Sequence, residues 1–374
     1  MKNLLLILLA FSFCSLIHAQ DSTKIAADSV AAGVRILEKI ELNSALAAQP
    51  LAWNDKIVTV EKSGSVSCYD TTSHVIWKNN LNVEITSRPV IADDVLVVGD
   101  TGGDIFTLDM KTGNQIQSIG LDKPISSDLI SFDYKGDIEL AMPKSSDSKS
   151  VIVAATQDGK IHCYDLETLQ EYWTNKDTKD TVSGAPFYLD NKILFNSADG
   201  FLYCIDAGNG LLIWRWKESA ESSFYHSNIV SDGKTIFVVS DNNDIFAIDF
   251  LLGKLAWQSK NIKVLPGLSL SRDKKILYTE TQDKRILLFS AAQGKVSKAV
   301  KLDETFDEKT IPILERENKL FFVRGNGIFI INDKYQEEHI LSFGNSAINF
   351  IAQIDEAKFL TSNINGTLII FSLR

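Results

Sequence analysis

The sequence predicts an all-β chain folded as an eight-bladed β-propeller of four-stranded antiparallel blades, its ring closed by an N-terminal strand. Three observations predict it. A short pattern of glycine, a β-rich run and aspartate recurs eight times at a period near 41 residues. No helical periodicity is present after residue 34. The chain also starts and stops out of phase with its own repeat.

The repeat decides the architecture. It stands as Gly64 to Asp70, Gly103 to Asp109, Gly159 to Asp165 and Gly200 to Asp206, with a degenerate copy from Asn243 to Asp249. Weaker copies run from Lys284 to Ser290, Asn326 to Asn332 and Gly366 to Ser372. The last positions lie 39, 56, 41, 43, 41, 42 and 40 residues apart. The single long interval holds an insertion, roughly Asp133 to Ser150, rich in Ser, Lys and Asp.

Two further positions share the register. Pro50, Pro89, Pro186 and Pro312 stand about twenty residues before the aspartate position, where a proline opening a strand sacrifices no ladder donor. Trp173, Trp214 and Trp257 stand eight after it, and Trp77 one residue early. Gly113, Gly210, Gly253 and Gly294 lie four after it, in the turn before the tryptophan position.

One copy then reads as four strands. Pro186 opens the first, Lys192 to Asn196 is the second, Phe201 to Ile205 the third and Leu211 to Trp216 the fourth, joined by Ser197–Gly200 and Asp206–Gly210 turns. Four short strands in about 41 residues is the pattern of a propeller blade. The last copy ends after its third strand, whereas Arg35 to Leu42 reads as a fourth strand with no blade in front of it. Closing the ring through that segment removes a sheet edge. Residues 35–374 are thus expected to form one domain, with residues 20–34 a linker.

Residues 1–19 read as a signal peptide: Lys2, an apolar run from Leu4 to Phe13, and Ala19 before the expected cleavage. A lipid-attachment cysteine wants a small residue before it, and Phe13 precedes Cys14. The expected product is a soluble, periplasmic, monomeric chain, at most peripheral at the outer membrane, with no segment long enough to span a bilayer.

A net charge of −10 argues against nucleic acid as a partner. The three cysteines left after export, Cys68, Cys163 and Cys204, each fall two before the aspartate and are expected as buried free thiols. His74, His162, His226 and His339 are scattered over four copies, with no metal-ligand spacing. Asp241 to Asp244 and Asn365-Gly366 read as hairpin turns. No phosphate loop or nucleophile elbow is present, so no catalytic, cofactor-binding or metal residue is assigned and the chain is not expected to be an enzyme.

The aspartate, the glycine four on and the tryptophan eight on, seen best in Asp206-Ala-Gly-Asn-Gly-Leu-Leu-Ile-Trp214, resemble the PQQ-like β-propeller repeat. The resemblance implies that the aspartate organises a turn and that the tryptophan packs blade on blade. Size, export and blade count together are similar to the propeller subunits of the machinery that assembles outer-membrane β-barrels. The resemblance therefore implies a non-catalytic scaffold holding protein partners of the cell envelope. A saccharide- or small-molecule-binding propeller, quinoprotein-like in chemistry, is the alternative. Quinone enzymes of this repeat type are much longer and often carry adjacent cysteines, which this chain lacks.

Loops entering the first strands form one mouth of such a ring. The register places Gln49, Arg88, Ser183, Phe224, Tyr225, His226, Asn228 and Lys309 there. Arg88, Ser183, Phe224, Tyr225, His226 and Asn228 are the candidate partner-binding rim, because arginine and aromatic side chains dominate binding hot spots.

Overall fold

The computed structural model describes residues 29–31, 33–70, 72–134, 149–303 and 311–373. The expected signal peptide, Lys309 and most of the insertion lie outside the described residues. Eight antiparallel sheets follow one another along the chain. In blade four the strands are Val182–Leu189, Lys192–Ser197, Leu202–Asp206 and Leu212–Trp216, hydrogen-bonded in that order. The first strands of blades one to four, and those of blades five and six, pack on one another, as strands facing the centre of a ring do. Second and third strands are almost wholly buried, and fourth strands alternate toward solvent.

The ring closes as the phase of the repeat requires. Val34–Glu41 pairs antiparallel with Thr367–Leu373, from Val34 opposite Leu373 to Glu41 opposite Thr367, and becomes the fourth strand of blade eight. The segment before it is more than a linker. Ser29–Val30 pairs with Leu341 and Ser342 and adds a fifth strand to blade seven. The insertion stands between the first and second strands of blade three, Ile130–Tyr134 and Lys149–Ala155, which pair through Tyr134 and Lys149.

Each repeat position has a physical task. The Asp109 carboxylate accepts the Lys111 and Thr112 N–H groups and the Thr112 hydroxyl, and these bonds, the hydroxyl first, hold its pKa below the usual carboxylate range. Asp165, Asp206 and Asp249 bind their own turns in the same way.

The tryptophans join blades. The indole N–H groups of Trp77, Trp173, Trp214 and Trp257 donate to the carbonyls of Met110, Ala207, Phe250 and Ala291, each in the turn of the next blade. That same turn holds the repeat glycine. A Cβ on Gly113, Gly210, Gly253 or Gly294 would stand 2.3–2.5 Å from the preceding blade's indole, and all four have positive φ. Glycine there serves both the backbone conformation and the close approach of the ring.

Pro50, Pro89 and Pro312 precede first strands, but Pro186 does not open its strand. It lies inside Val182–Leu189, where the pairing register shifts between Ser183 and Phe187. A bulge tolerates the missing donor as well as a strand end does. Cys68, Cys163 and Cys204 are buried free thiols, and burial raises their pKa values, that of Cys204 to about 12.

Candidate partner-binding face

The entrance loops are stitched to one another across blade boundaries. The Arg88 N–H donates to Asp128 Oδ1 at 2.8 Å, and the Leu129 N–H to the Arg88 carbonyl at 3.1 Å, joining blade two to blade three. The Asp128 N–H donates to the Gly184 carbonyl, reaching blade four. Between blades five and six, the Asn228 amide both donates to the Leu268 carbonyl and accepts the Leu268 N–H, each at 2.8 Å.

This framework sorts the expected rim residues. Phe224 is not a surface anchor. It is fully buried and packs against Trp216 and Phe246, because the loop turns its ring into the apolar seam between blades four and five. Asn228 is half-buried, and its amide is occupied by the Leu268 backbone, so it is a clamp rather than a free contact. The Ser183 backbone pairs with Asn196 in the first strand of blade four. His226 is exposed and meets the half-buried Tyr225 edge-on, with ring centroids 5.0 Å apart.

Gln49 and Arg88 come together. They line a cavity of about 350 Å³ at the mouth, walled by Ala45, Leu46, Ala47, Ala48, Phe350 and Ile364 and carrying Lys62, Asp128 and Asn349. The volume is at the low end for small-ligand sites. Burial pushes the Asp128 carboxyl above the usual range, against the pull of the Arg88 N–H and guanidinium. Sequence reasoning missed Lys62, Asp128, Asn349 and Phe350. Asp128 stands one period of 40 residues after Arg88, but Leu129 replaces the proline that marked this position in the first two copies.

A second, smaller cleft of about 150 Å³ lies beside blade three, between Gly120–Lys123 and His162, Tyr164 and Glu171. Two of its charge pairs are closed: His162 Nδ1 is 3.2 Å from Glu171 and Lys160 is 2.6 Å from Asp158. Among the described residues no group of three or more His, Cys, Asp or Glu side chains is placed to hold a metal ion, and no helix is long and apolar enough to cross a membrane.

Repeat chemistry and blade topology define the class: an eight-bladed propeller built from PQQ-like repeats. The family model described as "Outer membrane protein assembly factor BamB" matches residues 17–129, 137–258 and 215–374, and the chain belongs to that family. Among curated relatives, the outer membrane protein assembly factor BamB of Francisella tularensis is 24% identical over 208 residues, covering 54% of this chain and 41% of that protein. The corresponding Shewanella oneidensis protein is 22% identical over 58% of this chain and 54% of its own length. The matched region thus spans about half the length of these relatives, or less. The crystal structure of BamB from Moraxella catarrhalis superposes with a TM-score of 0.71 at 16% identity, covering 91% of this chain and all of that one. At that identity the likeness is one of fold.

Proposed function

We propose that this chain is a non-catalytic scaffold of the bacterial cell envelope, exported to the periplasm, that binds protein segments at the mouth formed by its entrance loops during outer-membrane protein assembly. The observation that carries the reading is the mouth cavity, where Gln49 and Arg88 gather with Lys62 on an otherwise acidic molecule. Family membership supports the class of partner. The stitched loops supply a pre-ordered surface, which lowers the entropic cost of binding.

The test changes Arg88, Tyr225 and His226 to Ala, singly and together, and measures capture of envelope proteins beside thermal stability. Truncating a true hot spot should cost ~2 kcal/mol of binding, roughly thirtyfold in affinity, with an unchanged melt. Undiminished capture by the triple variant removes this face, and turnover of a quinone-linked substrate removes the scaffold reading itself. N-terminal sequencing of the mature protein tests export: it should begin near Gln20, and a lipidated Cys14 would overturn the expected processing.

A further inference from the structure

We infer that the mouth cavity beside Arg88 is a receptor for one carboxylate side chain, an Asp or Glu within an extended and otherwise apolar polypeptide segment. The inference deepens the scaffold reading and rests on it for the source of the segment. Three features lead to it.

The first is charge. The cavity carries two cations, Arg88 and Lys62, and one acid, Asp128, on a chain of net charge −10. Both cationic residues are exposed, and neither the Arg88 guanidinium nor the Lys62 ammonium has an ion pair or hydrogen bond among the described residues. Asp128 is one acid against two cations, and its side chain accepts the Arg88 backbone N–H at 2.8 Å. The second cleft differs: its Lys160 and His162 are already paired with Asp158 and Glu171. A guanidinium offers a planar fork of donors that matches a carboxylate, and the ammonium adds a second point charge.

The second feature is the wall. Ala45, Leu46, Ala47 and Ala48 form one side, and Phe350 and Ile364 another, with Ile364 54% exposed. Small apolar residues next to cations suit a side chain whose charged end is flanked by hydrocarbon. Gln49 and Asn349 provide amides able to bond the segment's backbone.

The third feature is size and rigidity. About 350 Å³ accommodates a residue or two, not a folded surface. The Ala45–Ala48 wall is fixed to blade one, where Ala47 N–H donates to the Val60 carbonyl and the Lys62 N–H to the Ala45 carbonyl. The Arg88 backbone is fixed to blade three. The cations therefore stand on ordered backbone before any ligand arrives.

The experiment uses the mature full-length protein and fluorescence polarisation with labelled, end-capped peptides of sequence Ala-Leu-Glu-Leu-Ala. Companion probes carry Gln for Glu, Lys for Glu, or Gln with a free C-terminus. The Glu peptide should bind at least about tenfold more tightly than the Gln peptide. Arg88→Ala and Lys62→Ala should each abolish most of that difference with unchanged melting curves. Asp128→Asn keeps the acceptor oxygen for the Arg88 N–H and removes the competing charge, so it should tighten binding. Arg88→Glu with Lys62→Glu should transfer preference to the Lys peptide, which a merely misfolded variant would not do.

The inference is overturned if the Glu and Gln peptides bind alike, or if none binds by roughly 1 mM. It is also overturned if the free-acid Gln peptide matches the Glu peptide, or if the double alanine variant binds as the wild type does. These outcomes are separable from the scaffold reading. Envelope capture could survive every one of them through Tyr225 and His226, and peptide binding needs no natural partner.

Discussion

Glu280 is 2% exposed on the second strand of blade six, and neither carboxylate oxygen has a hydrogen-bond partner among the described residues. Burial alone pushes its pKa well above the usual value of 4.5. A raised folded-state pKa means that the unfolded chain ionises first. Stability is therefore full below about pH 4.5 and falls as pH rises toward the folded value. Glu280→Gln should flatten that decline, so the variant gains on the wild type as pH rises above 4.5 in paired chemical denaturations. A wild type whose stability is level across this range would contradict the burial of an uncompensated carboxyl. Nothing in the sequence singles out Glu280. Its copies are Val60, Gly99, Ala155, Asn196, Val239, Val323 and Ser362, aligned by their pairing partners, and no pattern marks a lone acid among them. Residue-scale reading failed in the same way at Phe224. An aromatic residue in an entrance loop looks like an anchor, but only packing against Trp216 and Phe246 decides which way its ring turns.

At the scale of the element, the junction between blades is a pair: an indole from one sheet and a glycine turn from the next. Gly210→Ala drives a Cβ to 2.5 Å from Trp173 Cε3 at φ +71°, whereas Gly184→Ala at φ +70° meets nothing within 4 Å. The Gly184 variant should lose about 1 kcal/mol through backbone strain alone. The Gly210 variant should lose about 3 kcal/mol, the excess coming from overpacking against the indole. Thermal melts of the two separate the contact from the conformation, and equal losses would mean that the ring shifts freely. This element was legible because the glycine and tryptophan are spaced constantly along the chain. Less legible was what each does to its neighbour: the glycine precedes one tryptophan in sequence but seats the tryptophan of the blade before. The Pro186 bulge and the Ser29–Val30 strand escaped for a related reason. Both depend on pairing between strands, and a two-residue strand carries no period of its own.

For the whole molecule, the number of blades and the manner of closure follow from arithmetic on eight repeat positions. The identity of the mouth cavity does not, since Arg88, Lys62 and Phe350 meet only once the ring has brought blades two and eight around blade one. The closure has a direct test. A chain beginning at residue 33 keeps the whole of Val34–Glu41 and, among the described residues, loses the Ser29–Val30 pairing and the backbone bonds of Ala31, so it should melt within a few degrees of the mature protein. A chain beginning at residue 43 lacks the fourth strand of blade eight. It should melt much lower and aggregate, because Thr367–Leu373 becomes a bare edge. Equal melting of the two truncations would show that the ring does not depend on this strand.

Closure by Val34–Glu41 also sets an order of events. The Glu41 carboxylate accepts a hydrogen bond from the Thr367 hydroxyl across 326 residues of sequence. Seven blades can be completed from neighbouring strands as the chain emerges, but the eighth cannot form until its last residues arrive and find a strand that emerged first. Until then Val34–Glu41 waits unpaired at the start of the chain, and the outer edge of Thr367–Leu373 has no partner. Contacts of such long separation form slowly, and unpaired edges invite association with other chains. The interval before the ring shuts is when this chain exposes the edges that invite association. Linking residue 373 to residue 34 by a short loop, and opening the chain at the Asn365-Gly366 turn instead, would make the Val34–Glu41 pairing local but move the seam to Lys358–Asn363 and Thr367–Leu373, so the ring would still shut last.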